Sequence, residues 1–215
     1  MIPPLQSVRR PGIAWVTPLR RSEQPELLDE TAHDSDELAA NFRDIRRVNA
    51  MLGGTSLLLR HLPRLLSAGS TGAPMTILDL ATGCADIPVA IARWAGRHNW
   101  NVEIVATDVS PDILALARRA TASCPNIALA RYDARQVPLP DRSFDIVTCS
   151  LSLHHFMPDD AVRVLAEMHR LARRGCILND LRRGLPGYIA AWVAAQLTTR
   201  NRLTRHDAPL SVRRA

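Results

Sequence analysis

The segment ILDLATGCADIPVA, Ile77 to Ala90, sets the fold that this sequence predicts. Its apolar run ends at an acid, Asp79, and the small residues of ATGCAD then lead into a helix that begins at Asp86. Small residues let a backbone approach a ligand closely, and the first turn of a helix offers free N–H groups to an anion. A tight turn that needs Gly83 only for its geometry explains these residues equally well.

Strands and helices alternate regularly around this segment. The sequence predicts strands over 75–80, 102–108, 127–133, 144–153 and 175–181, separated or followed by helices over 86–97, 111–122, 159–173 and 186–197. Elements of these lengths in this order predict an α/β fold, with a Rossmann-like, mostly parallel sheet and helices on both faces. Ligands of such sheets lie at the carboxyl ends of the strands.

The flanking regions predict a division into four parts. We expect a flexible lead-in over 1–33, two helices over 34–69, the Rossmann-like domain over 70–200 and an Arg-rich C-terminal tail over 201–215. The first helix is predicted to begin after Asp34, with Glu37 as its capping-box partner, and to end at Gly53. Pro63 is expected to interrupt the second helix.

Composition excludes several classes of function. All 27 basic residues of the 215 are Arg, which excludes lysine Schiff-base chemistry, a phosphate-loop lysine and a lysine general base. The net charge of +6 is spread over the chain without a single basic stripe, so we expect no nucleic acid partner. The four cysteines form no C-x-x-C pair, which favours a reducing cytoplasm over a disulfide framework. The most apolar late run, YIAAWVAAQL, is too short to span a bilayer.

Acidic residues close three successive predicted strands. They are Asp79, Asp108 and Asp133. Carboxylates at adjacent strand ends line one crevice, where they can accept hydrogen bonds from a ribose or an amino group. Each acid alone fits a turn or a helix cap equally well, but the repeated position favours one binding groove.

Together these features resemble the class I S-adenosylmethionine-dependent methyltransferases, and within them the ubiquinone/menaquinone-biosynthesis-like small-molecule branch. The resemblance covers about residues 40–200 and is carried by VNAMLGGTSLLLRHL, ILDLATGCADI, VATDVSPDILALAR, DARQVPLPDRSFDIVTCSLSLHHF and LAEMHRLARRGCILNDL. It implies S-adenosylmethionine as cofactor and a cytoplasmic enzyme that methylates an oxygen or carbon of a small, apolar or aromatic acceptor. It also implies that the two helices over 34–69 form a lid, although a helix packed on the sheet for stability fits as well.

The resemblance implies roles for individual residues. Asp79 and the turn would hold the methionine part of the cofactor, Asp108 its ribose hydroxyls, and Val109 its adenine ring. The full set implied to bind the cofactor is Asp79, Ala81, Thr82, Gly83, Cys84, Ala85, Asp108, Val109, Asp133, Ala134, Ser150 and Leu151.

Two features depart from the family's pattern. Ala85 stands where the family has its last motif glycine, which adds a methyl group beside the cofactor. The sequence after the fifth strand's helix shows no two strands, so the family's C-terminal β-hairpin is expected to be missing.

The far end of the crevice carries candidate catalytic groups. His154 and His155 follow the fourth strand and are candidates for the base, or else for the pocket wall, and in an extended chain only one of them would face the acceptor. Asp180 is expected to be a polar group of the pocket, and we expect no metal ion. Tyr188 and Trp192 line either the acceptor site or the core.

Alternative functions stay open at this point. One is an inactive or truncated cofactor-binding or interaction module, and another is an RNA-directed methyltransferase. A homodimer and a peripheral membrane contact also stay open.

Overall fold

The computed structural model describes residues 19–30, 33–66 and 73–215. Most of the predicted lead-in and the predicted linker over 67–72 therefore lie outside the described residues. The helices and strands are α1 Ser35–Leu52, α2 Gly54–Leu66, β1 Met75–Leu80, α3 Asp86–Arg97, β2 Val102–Asp108, α4 Pro111–Thr121, β3 Ile127–Arg131, β4 Phe144–Ser150, α5 Pro158–Leu171, β5 Ala172–Asn179, α6 Leu185–Thr198 and α7 Arg202–Arg214. Single 3₁₀ turns lie at Leu27–Asp29 and Leu153–His155.

The five strands form one sheet in the order β3-β2-β1-β4-β5, and every pair is parallel. The predicted α/β fold with a parallel sheet is confirmed. Chain order reverses between β1 and β4, so the carboxyl ends of β1, β2 and β4 border the switch point where such sheets bind ligands. Among the described residues, no β-hairpin extends the sheet beyond β5, as the sequence predicts.

Helices cover both faces of the sheet because the central strands are apolar on both sides. On one face Ile77, Ile104 and Ile146 pack with residues of α2 and α3. On the other face Leu78 and Val147 pack against α5. Each face of the sheet therefore has its own apolar core, and the strand ends lie between the two.

Helix α1 has the ends that the sequence predicts. The carboxylate of Asp34 accepts hydrogen bonds from the backbone N–H groups of Asp36 and Glu37, and Gly53 ends the helix in the left-handed conformation at φ 77°. Leu38 and Phe42 are buried on one face of α1.

Helix α2 contradicts one expectation, because it runs through Pro63 without interruption. Proline removes one backbone hydrogen bond from the helix interior. Leu58, Leu62 and Leu66 are buried together in the core, and this packing holds the helix on both sides of the proline.

The strand ends also differ from prediction. Strand β3 ends at Arg131, before Asp133, and β4 ends at Ser150. The residues after Ser150 turn at once, because Leu151 has the left-handed φ of 54° and 153–155 form a 3₁₀ turn.

The expected C-terminal tail over 201–215 is instead helix α7. The side chain of Asn201 caps it by accepting a hydrogen bond from the Thr204 N–H, and Leu203, Leu210 and Val212 are buried. Leu203 packs with Leu38 of α1, so the segment has an apolar face and a partner to cover it. The many Arg residues of this segment make its apolar helix face difficult to recognise from the sequence.

Candidate functional site

The turn between β1 and α3 has an unusual backbone. Ala81, Gly83 and Ala85 all have left-handed φ angles, of 51°, 58° and 60°. Only glycine adopts this region freely, and each alanine there costs about 1–2 kcal/mol. The two alanines are held by hydrogen bonds: Ala81 accepts one from the Ser152 hydroxyl, and the Ala85 N–H donates to Thr82. The turn is therefore shaped by the surrounding structure.

Helix α1 lies directly against this turn. A Cβ atom at Gly83 would lie 3.0 Å from Cε1 of Phe42, so only glycine lets the ring approach this closely. Cys84 is buried with Leu38 and Phe42, and burial raises the pKa of its thiol to about 12. The side chain of Cys84 thus faces α1, and only its backbone is available to a ligand in the turn.

Asp79 lies beneath the turn and is 1% exposed. The hydroxyls of Thr82 and Thr148 each donate a hydrogen bond of 2.6 Å to one of its carboxylate oxygens. Burial raises its pKa to about 7, against the opposing effect of these two hydrogen bonds. Asp79 therefore ties the turn to β4.

Asp108 ends β2 beside the same turn. It accepts backbone hydrogen bonds from Gly83 and Ser110, each of 3.0 Å. Burial raises its pKa, while these backbone bonds and the nearby charge of His155 oppose the shift. Val109, the next residue, is 56% exposed and presents an apolar side chain beside the carboxylate.

Asp133 lies after β3, at the outer end of the row of acids. Arg135 binds both of its carboxylate oxygens, at 3.0 Å from Nε and 2.7 Å from Nη2, and also reaches Asp160 at 3.0 Å. The hydrogen bond from Arg135 lowers the pKa of Asp133. Ala134 is buried in the core, so only its backbone can meet a ligand. The Arg135 contact was not foreseen from the sequence.

The end of β4 completes the rim. The Ser150 hydroxyl oxygen is buried, and no described residue offers it a hydrogen-bond partner. The Leu151 N–H donates to the carbonyl of Asn179, which joins the ends of β4 and β5. A buried hydroxyl without a partner is costly, so it is a place where a ligand atom would be stabilising.

The two histidines lie side by side, which contradicts the expectation that they point opposite ways. Their ring centroids are 4.5 Å apart. They belong to the 3₁₀ turn Leu153–His155, and the opposite orientation holds only for an extended chain. Nδ1 of His154 donates a hydrogen bond of 2.6 Å to the carboxylate of Asp180. Nδ1 of His155 donates one of 2.7 Å to the carboxylate of Asp29.

Sequence reasoning missed the residues that cover the histidines. Glu26 is 2% exposed, and its carboxylate oxygens lie 3.7 Å from Nε2 of each ring. Arg214 of α7 donates to the carbonyls of His154, His155 and Gln24. Glu26 falls in the expected lead-in and Arg214 in the expected tail. The spacing of Leu203, Asp207, Leu210 and Arg214, which marks one helix face, is the signal that could have revealed α7.

Helices α1 and α2 meet above the strand ends, where the sequence places a lid. Asn49 of α1 hydrogen-bonds Asp86 at the start of α3, which opposes the rise in the pKa of Asp86 caused by burial. The Asn179 amide donates to the carbonyl of Gly54 at 3.3 Å. These helices thus contact the start of α3 and the end of β5. Trp192 of α6, which is expected either at the acceptor site or in the core, is 50% exposed and therefore does not belong to the core.

Parts of this chain are similar to known proteins. Residues 77–175 match the family model described as a methyltransferase domain. The chain is 38% identical over 104 residues to a demethylmenaquinone methyltransferase of Deinococcus radiodurans, a match that covers 48% of this chain and 41% of that protein. It is 29% identical over 143 residues to a ubiquinone/menaquinone biosynthesis C-methyltransferase of Citrifermentans bemidjiense, covering 59% of each. The chain spans about half the length of these relatives.

A solved structure from Methanococcus maripaludis, named for S-adenosyl-L-methionine-dependent methyltransferases, shares the fold. Its TM-score is 0.53 at 16% identity, over 71% of this chain and 67% of that one. Residues 77–175 of the chain are therefore similar to the methyltransferase-domain family, and the sheet has the fold of the Methanococcus maripaludis structure.

Proposed function

We propose that this protein transfers a methyl group from S-adenosylmethionine to a carbon or oxygen atom of a small, apolar or aromatic acceptor. A quinone-type ring carbon is the acceptor that the names of its relatives favour. The observation that carries the proposal is the convergence of the glycine turn and Asp108 at the switch point of the sheet, where the Gly83 N–H donates to the Asp108 carboxylate.

Three features at the strand ends fit the cofactor. Asp108 keeps acceptor capacity on both oxygens beyond its two backbone bonds, which suits a pair of ribose hydroxyls. The exposed side chain of Val109 offers an apolar surface to a flat ring. The buried Ser150 hydroxyl lacks a partner within the described parts of the chain. When bound, S-adenosylmethionine supplies a methyl group on a sulfonium centre, ready for displacement in line.

Some of the site residues are proposed to contact the cofactor directly, and others to hold the β1–α3 turn in place. We propose that Asp108, Val109, Asp133, Ser150 and Leu151, with the backbone of 81–85 and of Ala134, contact the cofactor. We propose that Asp79 acts through the turn instead, because it is 1% exposed beneath the turn and binds the hydroxyls of Thr82 and Thr148. Asp133 would have to share its oxygens with Arg135.

His154 and His155 are the proposed proton acceptors for an acceptor group that must lose a proton. The hydrogen bond from Nδ1 of His154 to Asp180 orients that ring as a base is oriented in other enzymes. Glu26 covers Nε2 of both rings, so proton transfer from a substrate requires the segment 19–30 to withdraw.

The remaining expectations about partners stay predictions. We propose that α1 and α2 act as the lid and exclude water from the reacting centre. Among the described residues, no helix has both the length and the apolar character needed to cross a membrane. A cytoplasmic location, a homodimer, a peripheral membrane contact and the lack of a nucleic acid partner are all predictions.

The test is methyl transfer from labelled S-adenosylmethionine into the small-molecule fraction and the RNA of a cell lysate. We expect label in the small-molecule fraction alone. Label in RNA alone would contradict the choice of acceptor, and no label in either fraction, with the cofactor still bound, would favour a non-catalytic binding module.

A matched pair of variants tests the cofactor site in the same preparation. Asp108→Ala should weaken S-adenosylmethionine binding by about 10- to 100-fold in calorimetry, since it removes charged hydrogen-bond acceptors. Asp112→Ala, at an exposed position one turn away in α4, should leave affinity unchanged. Circular dichroism checks that both variants fold, and unchanged affinity in Asp108→Ala would exclude the assignment.

A further inference from the structure

Three potential metal ligands meet where the segment 19–30 covers the loop after β4. One ligand atom each from Glu26, His154 and His155 lies within 4.8 Å of the other two. The Glu26 oxygens are 3.7 Å from Nε2 of His154 and 3.7 Å from Nε2 of His155. Metal–ligand bonds of about 2.0–2.1 Å at tetrahedral angles place neighbouring ligand atoms about 3.3 Å apart, so the three side chains would have to move closer together to bind one ion.

Both imidazole rings are oriented as metal-bound histidines are. Nδ1 of His154 is 2.6 Å from the Asp180 carboxylate, and Nδ1 of His155 is 2.7 Å from that of Asp29. A carboxylate accepts a hydrogen, so it fixes the tautomer in which Nδ1 carries the proton and Nε2 has a free lone pair. Such carboxylate–histidine pairs support metal ligands in many proteins. Here both Nε2 atoms face Glu26.

One oxygen of the carboxylate between the rings lacks a hydrogen-bond partner, although the Glu26 side chain also accepts hydrogen bonds from the Asp29 backbone and from Ser211. Oε1 of Glu26 is buried, and no donor within the described residues lies within hydrogen-bond distance of it. Its nearest charged groups are His154, at 3.7 Å, and Arg214, at 3.8 Å. A buried, unpartnered carboxylate oxygen is strongly destabilising, whereas a bound cation would satisfy it.

Charge around the cluster favours a divalent cation. Three carboxylates, of Glu26, Asp29 and Asp180, face one guanidinium, that of Arg214, which leaves two negative charges when both rings are neutral. Asp207 adds a further negative charge near Glu26. The guanidinium is held by the carbonyls of Gln24, His154 and His155, so it lies at the edge of the cluster. The alternative is that both rings are protonated.

We propose that Glu26, His154 and His155 bind one divalent transition metal ion through a carboxylate oxygen and the two Nε2 atoms. Two imidazoles and a carboxylate are ligands that suit Zn²⁺ and Co²⁺, and three protein ligands leave a coordination position open. This departs from the sequence, which predicts no metal. The proposal does not depend on methyl transfer, and a metal-bound Nε2 atom cannot at the same time accept a proton.

Titration of the full chain with Zn²⁺ after chelator treatment tests the proposal, in the absence of S-adenosylmethionine. We expect calorimetry to show one equivalent bound and the unfolding temperature to rise by on the order of 5 °C at saturating Zn²⁺. Titration with Co²⁺ should produce visible absorption bands from nitrogen and oxygen ligands. Chelator-treated protein that binds no Zn²⁺ would overturn the proposal.

Variants separate direct ligands from their supports. Glu26→Gln and His155→Ala should each abolish the Co²⁺ bands, and Asp29→Asn should weaken Zn²⁺ binding by about 10- to 100-fold. His169→Ala, at an exposed position on α5, should bind as the parent does. Because Glu26 is buried, unfolding curves without metal check that its variant folds, and the partly exposed His155 provides the second test. Undiminished binding in both ligand variants would overturn the site.

Discussion

Asp79 is buried beneath the β1–α3 turn, where the hydroxyls of Thr82 and Thr148 bind its carboxylate. Burial raises its pKa from 3.8 to about 7, so the folded protein holds a proton there that the unfolded chain releases. Its contribution to stability is therefore complete below about pH 4 and lost as pH rises through about 7. We predict that the free energy of unfolding falls between pH 5 and 7, and that Asp79→Asn removes roughly 2–3 kcal/mol of this fall.

Urea unfolding at pH 5 and at pH 7 measures this fall in the free energy of unfolding. Asp145 provides the matched comparison. Its pKa is lowered, because hydrogen bonds from Thr76 and the nearby Arg173 and Arg174 outweigh its burial. The stability that the ionised Asp145 carboxylate contributes to the fold is thus complete above its pKa in the unfolded chain. It is lost only as pH falls through its lower pKa in the folded protein. Asp145→Asn should lower stability by the same amount at pH 5 and pH 7. An unchanged pH slope in Asp79→Asn would contradict the raised pKa.

At the scale of elements, the contact between α1 and the β1–α3 turn depends on Gly83. Its φ of 58° opposes any larger residue, and so does the Phe42 ring, which would lie 3.0 Å from an added Cβ atom. We predict that Gly83→Ala lowers the free energy of unfolding by about 1–2 kcal/mol from the backbone alone, with more from the displaced ring. Urea unfolding measures the difference.

Gly96 is the control for this substitution. It lies in α3, where an added Cβ meets no atom within 4 Å, so Gly96→Ala should raise stability by about 0.5–1 kcal/mol. The double variant Gly83→Ala/Phe42→Leu should recover the loss caused by the ring and keep the loss caused by the backbone. Equal effects at the two glycines would show that α1 does not pack on the turn.

Elements with strong local signals were predictable from the sequence. The bounds of β1, α3 and β2 agree with prediction, because an apolar run with an acid at or near its end marks each of the two strands. Helix α3 begins at Asp86, although its N-cap Ala85 makes no side-chain capping hydrogen bond. Asp79 and Asp108 lie at the ends of the adjacent strands β1 and β2, as predicted, whereas Asp133 lies two residues beyond the end of β3. The pairing of Asp133 with Arg135 and the covering of the histidines by Glu26 depend on tertiary contacts between distant residues. No local pattern encodes such contacts.

At the scale of the whole molecule, residues from opposite ends of the described chain meet over the histidines. The Ser22 N–H donates to the Arg213 carbonyl, and Arg21 bonds the carbonyls of Phe156 and Arg214. Asp207 of α7 accepts hydrogen bonds from the backbone of Leu27 and Leu28, each at 2.9 Å. Helix α7 therefore fastens the segment 19–30 to the site.

Arg214→Ala should consequently destabilise the protein as a whole. The change leaves three carbonyls and the Glu26 carboxylate without their cation, and we predict a loss of about 3–5 kcal/mol in unfolding free energy. Arg163→Ala removes an exposed pair with Asp160 and should cost less than about 1 kcal/mol. Similar losses in the two variants would contradict the role of Arg214, and faster amide exchange at Leu27 in Arg214→Ala would support it.

The contact between Arg214 and the carbonyls of His154 and His155 has a practical consequence for handling the protein. A surface linker attached through α7 would lie beside the guanidinium that holds the histidine loop, and tension on it would disturb that loop. Immobilised or fused preparations should therefore be anchored through the exposed side of α4, where Asp112 and Arg119 face solvent.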